Sequence, residues 1–402
     1  ERNRPRWYGW GPRVARRRPA SGREGARERA WRYARTIKVA TPGLRPCRSA
    51  EDMEVLRLHG ANDVRIHEEP EPVPGPGEEL VRITAVGLCG SDLHWYEDGG
   101  IGDDVVEEPL VLGHEMGGVI VSGPRAGERV VVEPANPCGV CAVCRAGDAN
   151  LCPDVKFCGH APVNGGLCAL MAWPQRLLLA IPDSIAGDDV ALLEPLGIAL
   201  HAIELGHFRA GQSAGVFGSG PIGLFLIRAL RAAGASRILA TDAKPHRVEA
   251  ALASGADAAY LTEVDGLPDG IKEWEPVDVS FEAAGEDMAL EAANIAVRRG
   301  GRVVVVGIPP TNRHAFTARY PRGKGLTMSF SRRMKAQHML RAIEVVDNGT
   351  WELTEEGQTC FTMEGMEEGS DPSCVTFGEP AEDGTVEVTG SDGEVDTVTL
   401  VS

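Results

Sequence analysis

Four cysteines, Cys138, Cys141, Cys144 and Cys152, stand within fifteen residues as C-x2-C-x2-C-x7-C, and they constrain this chain more than any other feature. Gly139 and Gly147 let the intervening loop fold around a common centre. Four thiolates suit a tetrahedral zinc ion with no open position, so the expected role is structural. Such a site contributes roughly 10 kcal/mol to local folding, enough to hold together a loop without a core of its own. Bacterial iron–sulfur runs close with a C-x3-C-P spacing, which the x7 interval here does not match.

A second set of candidate ligands is scattered. Cys89 lies in Gly87-Leu88-Cys89-Gly90-Ser91-Asp92-Leu93-His94, His114 and Glu115 in Gly113-His114-Glu115-Met116-Gly117-Gly118, and Glu194 in Leu193-Glu194-Pro195-Leu196-Gly197. One Cys, one His and one or two carboxylates suit a catalytic zinc that keeps a coordination position open. His114-Glu115 is not the metalloprotease helix, because no His follows four residues on and Gly117-Gly118 would break a helix. Spacing alone leaves the bland alternative open for each residue, a small core cysteine or a solvated glutamate.

The segment Ala214–Gly218 reads as a strand running into Gly218-Ser219-Gly220-Pro221-Ile222-Gly223, and 222–233 then read as a helix. This is G-x-G-x-x-G in its confirming context, with Asp242 closing the next strand 19 residues beyond Gly223. Gly218 permits the tight turn, Gly220 admits a pyrophosphate and Gly223 lets helix and strand pack. An acid at position 242 accepts hydrogen bonds from both ribose hydroxyls and repels a 2′-phosphate, which favours NAD over NADP; Arg247 nearby tempers that preference, since an arginine can accept a phosphate.

Around these motifs two regimes appear. Residues 53–194 are rich in Pro, Gly and short Val/Ile runs, as in a β-rich domain with long loops, the zinc lobe occupying 136–153. Residues 195–331 alternate strands (214–218, 237–242, 258–261, 277–283, 302–307, 326–330) with helices such as 222–233 and 245–254, the pattern of a parallel, doubly wound sheet. The fold class expected is therefore α/β plus β.

The ends differ in character. Residues 1–48 hold 15 basic and 3 acidic residues, whereas 49–402 hold 26 basic and 55 acidic, a balance of −29. A body that acidic repels polyphosphate, so nucleic acid is not an expected partner of the folded part. Residues 1–52 read either as a disordered basic arm, a targeting or nucleic-acid tail, or as sequence upstream of a start at Met53. After Arg341 no Lys, Arg or His occurs for 61 residues; Asp383-Gly384 and Asp392-Gly393 among Thr/Val alternations there suggest hairpins in an acidic tail. No apolar run approaches the ~18 to 20 residues of a membrane span. Ten cysteines are too few for a disulfide scaffold, and with no apolar leader at the start the expected compartment is the cytoplasm.

Together the motifs resemble the zinc-dependent medium-chain alcohol dehydrogenase family, and within it the sorbitol/xylitol (polyol) dehydrogenase branch, over about residues 53–345. The resemblance implies a GroES-like catalytic domain and a Rossmann NAD-binding domain, with residues 332–402 beginning as a return to the catalytic domain. It implies that Cys89 and His114 ligate the catalytic zinc, that Glu115 and Glu194 share the carboxylate role, and that Ser91 and His94 relay the substrate proton outward. It also implies two zinc ions per chain, ribose contacts at Asp242 and Arg247, and a nicotinamide beside Val306, Gly307 and Ile308. Zinc would act as a Lewis acid on a substrate hydroxyl while hydride passes to the nicotinamide. A homo-oligomer, tetramer or dimer, is expected, with 206–231 and 301–308 supporting an edge-strand interface.

Three features depart from the branch. The loop Pro124–Glu128 is short, Trp95 stands where many members carry a Tyr, and the usual segments past Gly349 are not recognisable. Arg332 and Arg333 fall where the branch places a substrate-facing Arg. Rival readings are a threonine or aldehyde-adduct dehydrogenase with the same machinery, and an inactive zinc- and NAD-binding protein.

Overall fold

The computed structural model describes residues 52–347, except 186, 264–265 and 310–312, together with the backbone of short strands on either side. The readings of the basic arm and of the acidic stretch past 349 lie outside the described residues; of that stretch, the strands Thr385–Gly390 and Val395–Thr399 pair antiparallel.

The first half is antiparallel β. Strand β1 (Asp52–Gly60) pairs with Asp63–Pro70. Next to it lies a sheet built from β2 (Glu78–Gly87), β3 (Glu115–Ile120), β4 (Arg129–Val132), β5 (Leu170–Pro174) and β6 (Leu178–Ala180), in the order β5-β2-β3-β4-β6. The run Val130-Val131-Val132 is continuous rather than alternating because both of its faces are covered. Val130 and Val132 face a core with Val81, Met116 and Trp173, and Val131 faces Val190, Leu193 and Met339.

Helix α1 (Gly90–Asp98) follows β2. Helix α2 (Leu193–Leu205) then leads into six parallel strands: β7 (Ser213–Phe217), β8 (Arg237–Asp242), β9 (Ala258–Leu261), β10 (Val277–Glu282), β11 (Val297–Val305) and β12 (Thr327–Phe330). Their order is β9-β8-β7-β10-β11-β12, with Val14–Arg16 antiparallel against β9. In strand sequence this is 3-2-1-4-5-6, the doubly wound arrangement, and its order reverses between β7 and β10. Helices α3 (Pro221–Ala232), α4 (Pro245–Ala253) and α5 (Asp287–Ala296) cover its faces.

Two expectations need correcting. Strand β11 begins five residues before Arg302, because Val297 already pairs with Val277 ahead of a register shift that the polar run Arg298-Arg299-Gly300-Gly301 conceals. It is also flanked on both sides, by β10 and β12, so 301–308 cannot offer a sheet edge; that edge is β12.

Helix α2 joins the halves. Its Leu193 and Leu196 pack with Val131 of the first half and with Met339 of α6 (Ala336–Asp347). The four-cysteine lobe supplies a second tie. Asn150 Nδ2 donates to the Arg332 carbonyl, Arg333 donates to the Asn150 carbonyl (both 3.1 Å), and Lys335 pairs with Asp148 at 2.9 Å. No helix among the described residues is long and apolar enough to cross a membrane.

Candidate active site

Cys89 is the N-cap of α1, in extended backbone. Asp92, three residues on, turns back to it: Oδ2 accepts the Cys89 N–H at 2.9 Å and Oδ1 accepts the Gly113 N–H at 3.1 Å. The same Oδ1 lies 3.6 Å from His114 Nδ1. One buried carboxylate thus fixes both segments that carry the Cys and the His. Glu115 opens β3 opposite Gly87 of β2. A Cβ at Gly87 would stand 2.3 Å from Glu115 Oε2, so a glycine there leaves room for the glutamate.

The ligand atoms of Cys89, His114 and Glu115 lie within 4.8 Å of one another. Glu194, buried in the first turn of α2, stands outside that radius but feels the charges of all three. Burial pushes the Cys89 thiol up, Glu115 up to about 7 and Glu194 well above the usual carboxylate range. Buried acids gathered this closely need protons or a cation to neutralise them. One sulfur, one imidazole and carboxylates fit a zinc ion with an open position. Phe157 packs on His114 with ring centres 5.2 Å apart, and the Arg333 guanidinium lies over Phe157 at 5.1 Å. Trp95 is buried edge-on against His160 rather than open to the site.

The sulfurs of the four-cysteine lobe lie 3.5 Å (Cys138–Cys152) and 4.0 Å (Cys138–Cys144, Cys141–Cys152) apart. Sulfurs at about 2.3 Å from a tetrahedral zinc stand roughly 3.8 Å apart, so this set fits the ion as it is. All seven cysteines among the described residues are unbridged.

A cleft of about 410 Å³ separates the halves. Cys89, Ser91 and His94 line one part, Gly218, Gly220 and Ile222 another, and Asp242, Arg247, Val306, Gly307 and Ile308 are among the residues of the remainder. Gly223 does not line it; a Cβ there would meet the Gly218 carbonyl at 1.9 Å, so its role is to seat α3 on β7. Gly218 itself turns with φ +105°, in the left-handed region. Asp242 is buried, accepting the Ser219 N–H at 2.9 Å on Oδ2 and the Lys244 N–H at 2.8 Å on Oδ1, with Arg247 Nη1 3.6 Å from Oδ2.

Asp92 and Ser219 escaped the reading of the sequence. For Asp92 a signal exists: an acid three residues after an N-cap is a capping box, here with cysteine in place of Ser or Thr. Changing Asp92→Asn puts an amide N–H against the N–H of Cys89 or of Gly113. Zinc affinity at this centre is expected to fall by roughly 10- to 100-fold, the usual cost of removing a group that orients a ligand. Competition against a chromogenic chelator measures it, and an affinity equal to wild type would sink the assignment.

The fold and the site together fit a zinc- and nicotinamide-dependent oxidoreductase, with the candidate centre between a β-rich half and a doubly wound half. Residues 75–183 match the alcohol dehydrogenase GroES-like domain and residues 221–348 the zinc-binding dehydrogenase domain. The chain is 39% identical over 271 residues to a sorbitol dehydrogenase of Bacillus subtilis, covering 65% of this chain and 77% of that protein. Its structure resembles L-idonate 5-dehydrogenase from Escherichia coli (TM-score 0.68, 28% identity, 74% of this chain and 87% of the other). It also resembles an Escherichia coli alcohol dehydrogenase complexed with NADH (TM-score 0.66, 26% identity, 74% and 88%). The chain belongs to the zinc-dependent medium-chain alcohol dehydrogenase family, close to its polyol dehydrogenase branch. It is an enzyme acting on a small alcohol with zinc and a nicotinamide cofactor.

Proposed function

We propose that the enzyme oxidises a secondary hydroxyl of a polyol of the sorbitol class, with NAD as hydride acceptor and two zinc ions per chain. The observation that carries this reading is the cleft running from Cys89, Ser91 and His94 to Asp242. The kinship to sorbitol dehydrogenase supports the substrate class.

When bound, zinc supplies Lewis acidity and the nicotinamide accepts hydride. Cys89, His114, Glu115 and Glu194 hold the catalytic ion, with Asp92 orienting the first two. Cys138, Cys141, Cys144 and Cys152 hold the structural one. Ser91 takes the proton released by the substrate hydroxyl, and His94, 22% exposed and 3.3 Å from Asp98, passes it to solvent. Gly218, Gly220 and Ile222 form the pyrophosphate cradle at the start of α3, with Gly223 seating that helix. Val306, Gly307 and Ile308 flank the nicotinamide. The domains follow as 53–194 and 195–331, the chain returning to the first half from 332. The exposed edge strand β12 supports assembly into a homo-oligomer.

Asp242 sets the cofactor choice. Its carboxylate would repel a 2′-phosphate, and it already engages Arg247, a nearby cation that could receive one. The test is initial rates on a series of polyols and simple secondary alcohols, with NAD and NADP, for wild type and Asp242→Ser. Wild type is expected to prefer NAD and vicinal polyols. The variant frees Arg247 and is expected to raise the NADP-to-NAD ratio of kcat/KM on the order of tenfold or more. Turnover of threonine alone would replace the substrate class, and an unchanged ratio would remove Asp242 from that role.

A further inference from the structure

Strand β10 ends in Glu282, next to the point where the sheet order reverses, and its side chain is fully buried. Oε1 accepts the N–H groups of Ala284 and Gly285, each at 2.7 Å. Its backbone carbonyl accepts those of Val306 at 2.8 Å and Gly307 at 3.2 Å. One residue therefore ties together the two segments that follow β10 and β11, and Ala283, Ala284, Val306 and Gly307 all line the cleft.

The two segments touch. A Cβ placed on Gly307 would stand 2.1 Å from the Gly285 nitrogen and 2.8 Å from Glu282 Oε2. The carboxylate thus lies directly behind Gly307, on the dry side of the cleft wall. Oε2 has no hydrogen-bond partner among the described residues, although leaving a buried carboxylate oxygen unpaired is costly. Burial raises the Glu282 pKa, and the backbone N–H groups of Ala284, Gly285 and Glu286, with His314 nearby, hold it back. A thin wall with an under-satisfied acid behind it suits a ligand that brings positive charge to the other side. The oxidised nicotinamide ring is a cation and the reduced ring is neutral.

We propose that Glu282 positions the wall beside the nicotinamide and, as a buried anion, favours the oxidised ring over the reduced one. The inference rests on the reading that places the nicotinamide against Val306–Ile308. Glu282 is a positioning residue in this role, since it reaches the cofactor through Gly285 and Gly307.

The experiment is calorimetric titration of NAD+ and of NADH into wild type, Glu282→Gln and Glu282→Asp. Glutamine keeps the shape and the acceptor at Oε1 and removes the charge. The ratio of the NAD+ to the NADH dissociation constant is expected to rise roughly three- to tenfold in Glu282→Gln, through weaker NAD+ binding, the scale of one charge acting through a few ångströms of protein. Glu282→Asp should hold the ratio near wild type. A ratio unchanged in Glu282→Gln, or both cofactors weakened alike, overturns the proposal and leaves Glu282 a structural brace. Should Glu282→Gln not fold, infrared difference spectra of wild type decide: a glutamate band perturbed by NAD+ and not by NADH supports the proposal, and its absence overturns it. Wild type that binds neither cofactor would overturn the underlying cofactor reading as well, and that result is recorded before any variant is compared.

Discussion

Cys89→Ser is expected to lower turnover by about three orders of magnitude, roughly 4 kcal/mol of lost transition-state stabilisation, and to take zinc from two ions per chain to one. The size follows from what is left behind. His114 and Glu115 remain beside Asp92, three groups whose arrangement is set around a cysteine sulfur at the N-cap of α1. A hydroxyl cannot replace it, because serine stays protonated where a zinc-bound cysteine is ionised. Elemental analysis and initial rates with a polyol read the two effects together. A variant that keeps both ions, or more than a tenth of wild-type turnover, would show that the centre lies elsewhere.

The second large effect belongs to the lobe. Cys144→Ala removes one corner of a set whose sulfur separations already match a tetrahedral ion. Structural zinc sites carry apparent binding free energies on the order of 10 kcal/mol, and in a loop with little apolar core that energy is the folding energy. The loss should spread, because the lobe is tied to Arg332, Arg333 and Lys335, where the chain leaves β12 for α6. The expected result is one ion fewer per chain, proteolytic cutting between 138 and 152, and a lower melting temperature. Resistance to protease and a wild-type melting curve would mean the loop is held by other contacts.

The four-cysteine set and the dinucleotide turn were legible because each writes its chemistry into local spacing, whereas the scattered Cys89, His114, Glu115 and Glu194 were reached only through the family resemblance. The four cysteines need only a loop to converge, and G-x-G-x-x-G needs only its own strand and helix. Strands β8 and β9 fall where their apolar runs indicate, at Arg237–Asp242 and Ala258–Leu261. What stayed hidden depends on residues far apart in the chain. Asp92 also acts on Gly113 and His114 across more than twenty positions, a part that its local capping of Cys89 does not disclose. The early start of β11 rests on pairing with Val277, which the polar run after Val297 disguises. Glu282 reads as the end of a strand, and only the crossing of Gly285 and Gly307 places its carboxylate behind a wall. The edge strand changed from 301–308 to β12 for the same reason, since the order of strands in a sheet is not a local property.

The cleft has a division of labour built into its walls. Helix α1 and the turn before it contribute Cys89, Ser91 and His94, while Asp242 at the end of β8 and Arg247 in α4 belong to the other half. The two sets share no element of secondary structure. Under the proposed function, substitutions along α1 are expected to change the handling of the alcohol while leaving the choice of dinucleotide intact, and those at the end of β8 and in α4 to do the converse. A lineage built on this plan can diversify its substrates and its redox currency separately.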